Sequence, residues 1–202
     1  MNSIEHYFDW AATSPVDEDI LRESMEEAFE CWGNPSSSHI VGKQAHELFE
    51  NARKRAAEAI GVKPENIYFT SGGTESDQIP MLAQLSRPAK GNVLVSSIEH
   101  PAIREQAEAL KKCGWKVIPI PSDKYGIITP QAVTSLLTSE TTLVCIMAVN
   151  NETGIIQPIY EIADAITKAT AGKRRPKFHV DCVQAAGKIP LNISYNGIDS
   201  AA

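Results

Sequence analysis

The chain has 202 residues, 43% of them apolar and 22% charged, with 25 acidic side chains against 19 basic ones and a formal net charge of -6. That is enough apolar material for one large buried core, while the acid excess argues against nucleic acid as the main partner, since phosphate contacts need clustered Lys and Arg. No apolar run approaches the roughly 20 residues of a membrane span, and Met1-Asn2-Ser3-Ile4-Glu5-His6 lacks the basic and apolar regions of a secretory leader.

The four cysteines, Cys31, Cys113, Cys145 and Cys182, show no CxxC spacing and read as reduced thiols of a cytoplasmic protein, with no metal site implied. Residues 7–15, Tyr-Phe-Asp-Trp-Ala-Ala-Thr-Ser-Pro, read as an extended N-terminal arm covering positions 1–15, and residues 16–202 as one domain. Asp17 offers a cap to a helix whose apolar positions Ile20, Leu21, Met25, Ala28 and Phe29 recur to about Cys31. The Gly33-Asn34-Pro35-Ser36-Ser37-Ser38-His39 cluster cannot continue it and reads as a loop. From Lys43 to Ile60 one apolar face predicts a helix, closed by Gly61 in a left-handed cap.

Beyond Gly61 the pattern becomes short apolar runs at 67–69, 93–95, 117–120, 143–147 and 178–180, separated by helices at about 74–86, 101–113, 130–138 and 158–170. Strands alternating with helices predict an α/β fold, a mostly parallel sheet sandwiched by helices. Pro80 and Pro119 blur two of these boundaries. The basic run Lys173-Arg174-Arg175-Pro176-Lys177 follows a helix and reads as a solvated loop at its negative dipole end.

Ligands of an open parallel sheet sit beyond the carboxyl ends of its strands, so the residues after each run carry the functional signal. After the first run, Thr70-Ser71-Gly72-Gly73-Thr74-Glu75-Ser76 opens a helix; it is either an ordinary capped start or an anion cup of free N–H groups. Glu99-His100-Pro101 offers a flat ring that is structural or stacks on a planar ligand, and Asn150-Asn151-Glu152-Thr153-Gly154 a tight turn or an amide for a ring hydroxyl. His179-Val180-Asp181-Cys182-Val183-Gln184 brings a carboxylate that starts a turn or holds a proton on a ring nitrogen. An anion cup, a ring stacker, an amide pair and a carboxylate, each at a strand end, are together what pyridoxal 5'-phosphate needs.

These motifs, with Tyr7-Phe8-Asp9-Trp10-Ala11-Ala12-Thr13, Gly33-Asn34-Pro35-Ser36-Ser37 and Gly187-Lys188, resemble the N-terminal half of a cysteine desulfurase, of the class V aminotransferase group of fold-type I pyridoxal-phosphate enzymes. The resemblance implies a partial large domain, ending before the last strands of its sheet. It assigns Gly73 and Thr74 to the cofactor phosphate, His100 to the face of the pyridine ring as the catalytic residue present, Asn151 and Gln184 to the phenolic-oxygen side, and Asp181 to the ring nitrogen. It implies conversion of L-cysteine to L-alanine with sulfur passed to an acceptor protein for iron–sulfur cluster or thiolation pathways, in a homodimer.

In the family the Schiff-base Lys of a Ser-x-His-Lys element, the sulfur-accepting Cys and the carboxylate-binding Arg come later than Ala202; Lys188 and the four cysteines match none of them. The chain alone is therefore expected to be inactive, and poorly soluble or molten because the strand before Gly72 lacks neighbours. Two other readings stay open: a non-catalytic remnant or interaction module, and a selenocysteine lyase or class V aminotransferase.

Overall fold

The computed structural model describes residues 6–202, so positions 1–5 of the expected arm lie outside the described residues. The chain divides between Ile67 and Tyr68 into two compact units.

In the first unit, the segment expected as an extended arm instead closes into a turn. The Ala12 N–H donates to the Asp9 carbonyl at 3.1 Å, and the Tyr7 hydroxyl lies 2.7 Å and 3.0 Å from the carbonyls of Asp9 and Thr13. A phenol reaching two carbonyls gives this backbone the partners that an isolated extended strand lacks. Helix α1 (Glu18–Glu30) starts where Asp17 Oδ1 accepts the N–H groups of Asp19 and Ile20, both at 3.1 Å. None of its residues is buried: Ile20, Leu21, Met25 and Phe29 form an exposed apolar stripe. Helix α2 (Ile40–Ile60) begins three residues before Lys43, because His39 Nδ1 accepts the Gly42 N–H at 3.2 Å and caps the earlier turn. It ends at Gly61, φ 72°, in the left-handed cap that its sequence predicts.

The second unit is a five-stranded, all-parallel sheet in the order β2-β1-β3-β4-β5, formed by β1 (Asn92–Ser96), β2 (Lys116–Ile120), β3 (Thr141–Met147), β4 (Lys177–Asp181) and the short β5 (Ser200–Ala201). The run at 67–69 pairs with none of them, which corrects the expected first strand. Tyr68 and Phe69 are exposed, and no ladder joins this run to the sheet. Pro119 is tolerated because β2 is an edge strand.

Helices α3 (Gly73–Leu82) and α4 (Pro101–Lys112) and helices α5 (Pro130–Leu136) and α6 (Ile159–Ala169) supply two separate cores. Strand residues alternate between these cores, as the pleat requires. Val93, Val95, Leu143 and Cys145 pack with Met81, Ile103 and Leu110. Leu94, Val144, Ile146, Phe178 and Val180 pack with Val133, Ile162 and Ile166. The helix expected over 74–86 leaves α geometry after Leu82 for a 3-10 turn, Ala83–Ser86, where Gln84 Nε2 reaches back to the Pro80 carbonyl at 3.0 Å. No helix among the described residues is long and apolar enough to cross a membrane.

Candidate functional site

The strand order reverses direction between β1 and β3, so the loops leaving these two neighbours part and open a crevice at their carboxyl ends. Two hydrogen bonds span it. The Met147 N–H, on the last residue of β3, donates at 2.8 Å to Oε1 of Glu99 in the loop after β1. Asn150 Nδ2 donates to the Ile98 carbonyl at 2.9 Å. Asn150 Oδ1 also accepts from the N–H groups of Glu152 and Thr153, at 3.1 Å and 2.9 Å, and so shapes the turn that carries Asn151. Asn151 is half-buried there.

His100 is the N-cap of α4, with Nδ1 accepting the Ala102 N–H at 3.2 Å and Pro101 taking the first helical position. Since Nδ1 is the acceptor, the neutral ring carries its proton on Nε2, and the residue is exposed. His100 lies within electrostatic range of Asp181 and favours its ionised form.

Asp181 ends β4 and is 4% exposed. Both readings of this residue coexist: Oδ1 accepts the Val183 N–H at 2.9 Å and starts the turn, while no hydrogen-bond donor among the described residues reaches Oδ2. Burial pushes its pKa up, Asp77 adds to the rise, and His179 and His100 oppose it. An oxygen without a protein donor, on a carboxyl group that is largely buried, is suited to a cationic N–H from a ligand.

The start of α3 reaches the same loop. A Cβ on Gly73 would stand 2.5 Å from Val183 Cγ2, so only glycine allows this approach of helix to loop. Gly72 is the N-cap and neither Ser71 nor Thr74 caps the helix through its side chain, which leaves the first-turn N–H groups and the exposed Thr74 hydroxyl to an external acceptor. Glu75 folds back to accept the Ser71 N–H at 2.6 Å, and that bond lowers its pKa. Gln184 Oε1 accepts from Lys188 Nζ at 2.5 Å, so Lys188 is spent on this contact. The structure thus gathers Gly73, His100 and Asp181 around the ends of β1, β3 and β4, with Thr74 beside Gly73 and Gln184 in the turn after Asp181. Asn151 stands in the adjoining turn, with no hydrogen bond to the other five.

A buried polar cluster beneath these residues was not anticipated from the sequence. His179, on the same face of β4 as Asp181, places Nε2 3.1 Å from Asp77 Oδ1 on α3 and Nδ1 2.9 Å from Ser200 Oγ on β5. Both His179 and Asp77 are 1% exposed. Glu99 is buried as well; Oε1 accepts from the Ser96 hydroxyl in addition to the Met147 N–H, while Oε2 is buried without a partner. The available signal was an acid within a helical stripe, Asp77 four residues before Met81, and a histidine inside an apolar run.

The family model Aminotransferase class-V matches residues 6–202. Among curated relatives, cysteine desulfurase IscS of Methanosarcina thermophila is 38% identical over 195 residues, 96% of this chain and 47% of the relative. A solved NifS-like protein superposes with a TM-score of 0.89 at 36% identity, over 96% of this chain and 53% of its own. SspA in complex with cysteine gives 0.87 at 30% identity, over 96% and 55%. The chain spans about half the length of these relatives.

Proposed function

Because the chain belongs to the aminotransferase class-V family, whose cysteine desulfurase members depend on pyridoxal phosphate, we propose that residues 68–202 carry the cofactor-holding part of a cysteine desulfurase site. The observation that carries this reading is Asp181: a buried carboxylate at a strand end, with one oxygen fixed by its own turn and the other lacking a donor, beside the uncapped start of α3.

When bound, pyridoxal phosphate supplies a ring able to draw electrons from the substrate's α-carbon. The chain's own residues set that up. The Gly73 and Thr74 N–H groups and the Thr74 hydroxyl take the phosphate at the positive end of α3. Asp181 Oδ2 holds a proton on the ring nitrogen, His100 covers one ring face and excludes water from it, and Asn151 and Gln184 serve the phenolic oxygen. L-cysteine is the substrate of this reading, with sulfur passing to an acceptor for iron–sulfur cluster or thiolation pathways. A solved neighbour that holds cysteine supports that choice over selenocysteine or a transamination pair. A homodimer and a cytoplasmic location belong to the same reading. The Ser-x-His-Lys element does not occur in these 202 residues, so the chain is proposed to bind the cofactor without turnover.

Equilibrium titration with pyridoxal phosphate tests this. Saturable binding is expected, weakened about tenfold or more in Asp181→Asn, because the charged partner of the ring nitrogen is lost. The variant's melting temperature should not fall, since the carboxylate removed is one that burial disfavours. Borohydride should fix no lysyl adduct at a defined position. Absence of saturable binding, or equal affinity in the variant, would sink the assignment.

A further inference from the structure

Glu99 has no role in the reading above, yet its surroundings are those of a built part. It sits one residue before His100, 6% exposed, in the loop that leaves β1 at the sheet's reversal point. Its Oε1 collects two donors from different elements, the Ser96 hydroxyl at the end of β1 and the Met147 N–H at the end of β3. Its Oε2 is sealed from water with no partner. Resting on the cofactor reading, we propose that the Glu99 carboxyl group clips the His100 loop to the end of β3, making Glu99 a positioning residue for the ring-covering histidine.

Burial keeps the group neutral, although the Ser96 and Met147 bonds by themselves favour the charged form. An ionised carboxylate would leave one buried oxygen wholly unsolvated and would share its surroundings with other acids. The titratable groups that face it are Asp77 from α3, Cys145 from β3 and Asp181 from β4, with His179 between the two aspartates. Desolvation chiefly, with Asp181 and Asp77 adding to it, pushes the Glu99 pKa up to about 8. Cys145 stays neutral throughout this range, because burial lifts its thiol well above the ordinary value. Below pH 8 Oε1 therefore accepts its two bonds on an uncharged acid. Above it the desolvation of the charged group outweighs the two bonds to Oε1, so the carboxylate is drawn toward water, the Met147 N–H is released and the loop carrying His100 comes free.

Two measurements on the 202-residue chain decide the matter. The first is hydrogen exchange at the Met147 amide, corrected for intrinsic base catalysis. Protection is expected at pH 7 in the wild type and in Glu99→Gln, whose amide oxygen replaces Oε1, and lost between pH 8 and 9.5 in the wild type alone. The second is pyridoxal phosphate affinity. Glu99→Gln should stay within about twofold of wild type at pH 7 and flat to pH 9.5, while the wild type weakens above pH 8; Glu99→Ala should lose about tenfold at either pH. If Glu99→Ala does not fold, the wild-type and Gln profiles alone decide. Met147 protection that ignores pH in the wild type, or survives in a folded Ala variant, overturns the clip. Met147 behaviour as expected with no cofactor binding by any form leaves the clip standing and removes the cofactor reading instead.

Discussion

At the scale of single residues, the strongest constraint is the buried His179–Asp77 contact, which ties β4 to α3, while Ser200 holds the opposite ring nitrogen from β5. Removing one member strands the other in a site that neither can leave, and breaking such a buried pair costs about 3–5 kcal/mol. Asp77→Ala and His179→Ala are each expected to lower stability by that order in urea unfolding, and the double variant by less than their sum. Additive losses would show that the two side chains do not act together. Glu99 has the opposite character. Its pKa rises from 4.5 to about 8 on folding, so between those values the folded chain keeps a proton that the unfolded chain has released. Stability contributed by this group is full below pH 4.5, declines as pH rises and levels off above pH 8, by about tenfold in the unfolding constant per pH unit within the window. Asp181 adds to the same slope, because its pKa is also raised. Glu99→Gln should flatten the profile between pH 5 and 8 and be more stable than wild type at pH 9; an unchanged slope would refute the assignment.

At the scale of elements, the sequence announced most of what the structure contains, for a local reason: caps and breakers sit where helices end. Asp17, His100 and Thr129 cap α1, α4 and α5, Pro101 and Pro130 take first-turn positions, and Gly61 closes α2. The residues at strand ends were legible by the same logic, because a parallel sheet delivers its loops to one edge. What escaped was whatever depended on a neighbour. The 67–69 run has strand composition but no paired strand. The boundary after Ile67 lacks a polar linker to mark it, and the Asp77, Glu99 and His179 cluster forms only through contacts between residues up to 102 positions apart. Gly73 belongs to both classes, since its glycine reads as helix-opening while its real constraint is Val183, 2.5 Å from any added Cβ. Gly73→Ala should cost about 1–3 kcal/mol by overpacking against a stiff β-branched side chain. The double variant with Val183→Ala should recover most of the loss in both melting temperature and cofactor affinity. Failure of that rescue would mean that the α3 start is held by something other than this contact.

At the scale of the molecule, the two units are unequal in what they bury. The second has two apolar cores, with side chains as large as Phe178, Met81 and Ile166 fully buried. In the first, the buried hydrophobic residues among those described are only Ala45 and Ala57, while Ile20, Leu21, Met25, Phe29 and Trp32 lie exposed. Burial at about 25 cal/mol per Å² offsets the conformational entropy of ordering a chain only where large side chains leave water. Alanines alone fall short of that, and an isolated helix as short as the 13 residues of α1 is marginal in water. Ordering of residues 6–67 should therefore be weak in the 202-residue chain by itself, and the exposed stripe on α1 with the exposed Tyr68 and Phe69 should make the chain prone to association. Amide exchange is expected to be fast throughout α1 and α2 and slow in β1, β3 and β4. An environment-sensitive apolar dye should bind at neutral pH, and calorimetry should show a broad transition instead of a single sharp one. A cooperative melt with coincident loss of both units and no dye binding would show that α1 and α2 draw their stability from contacts beyond the apolar burial described above.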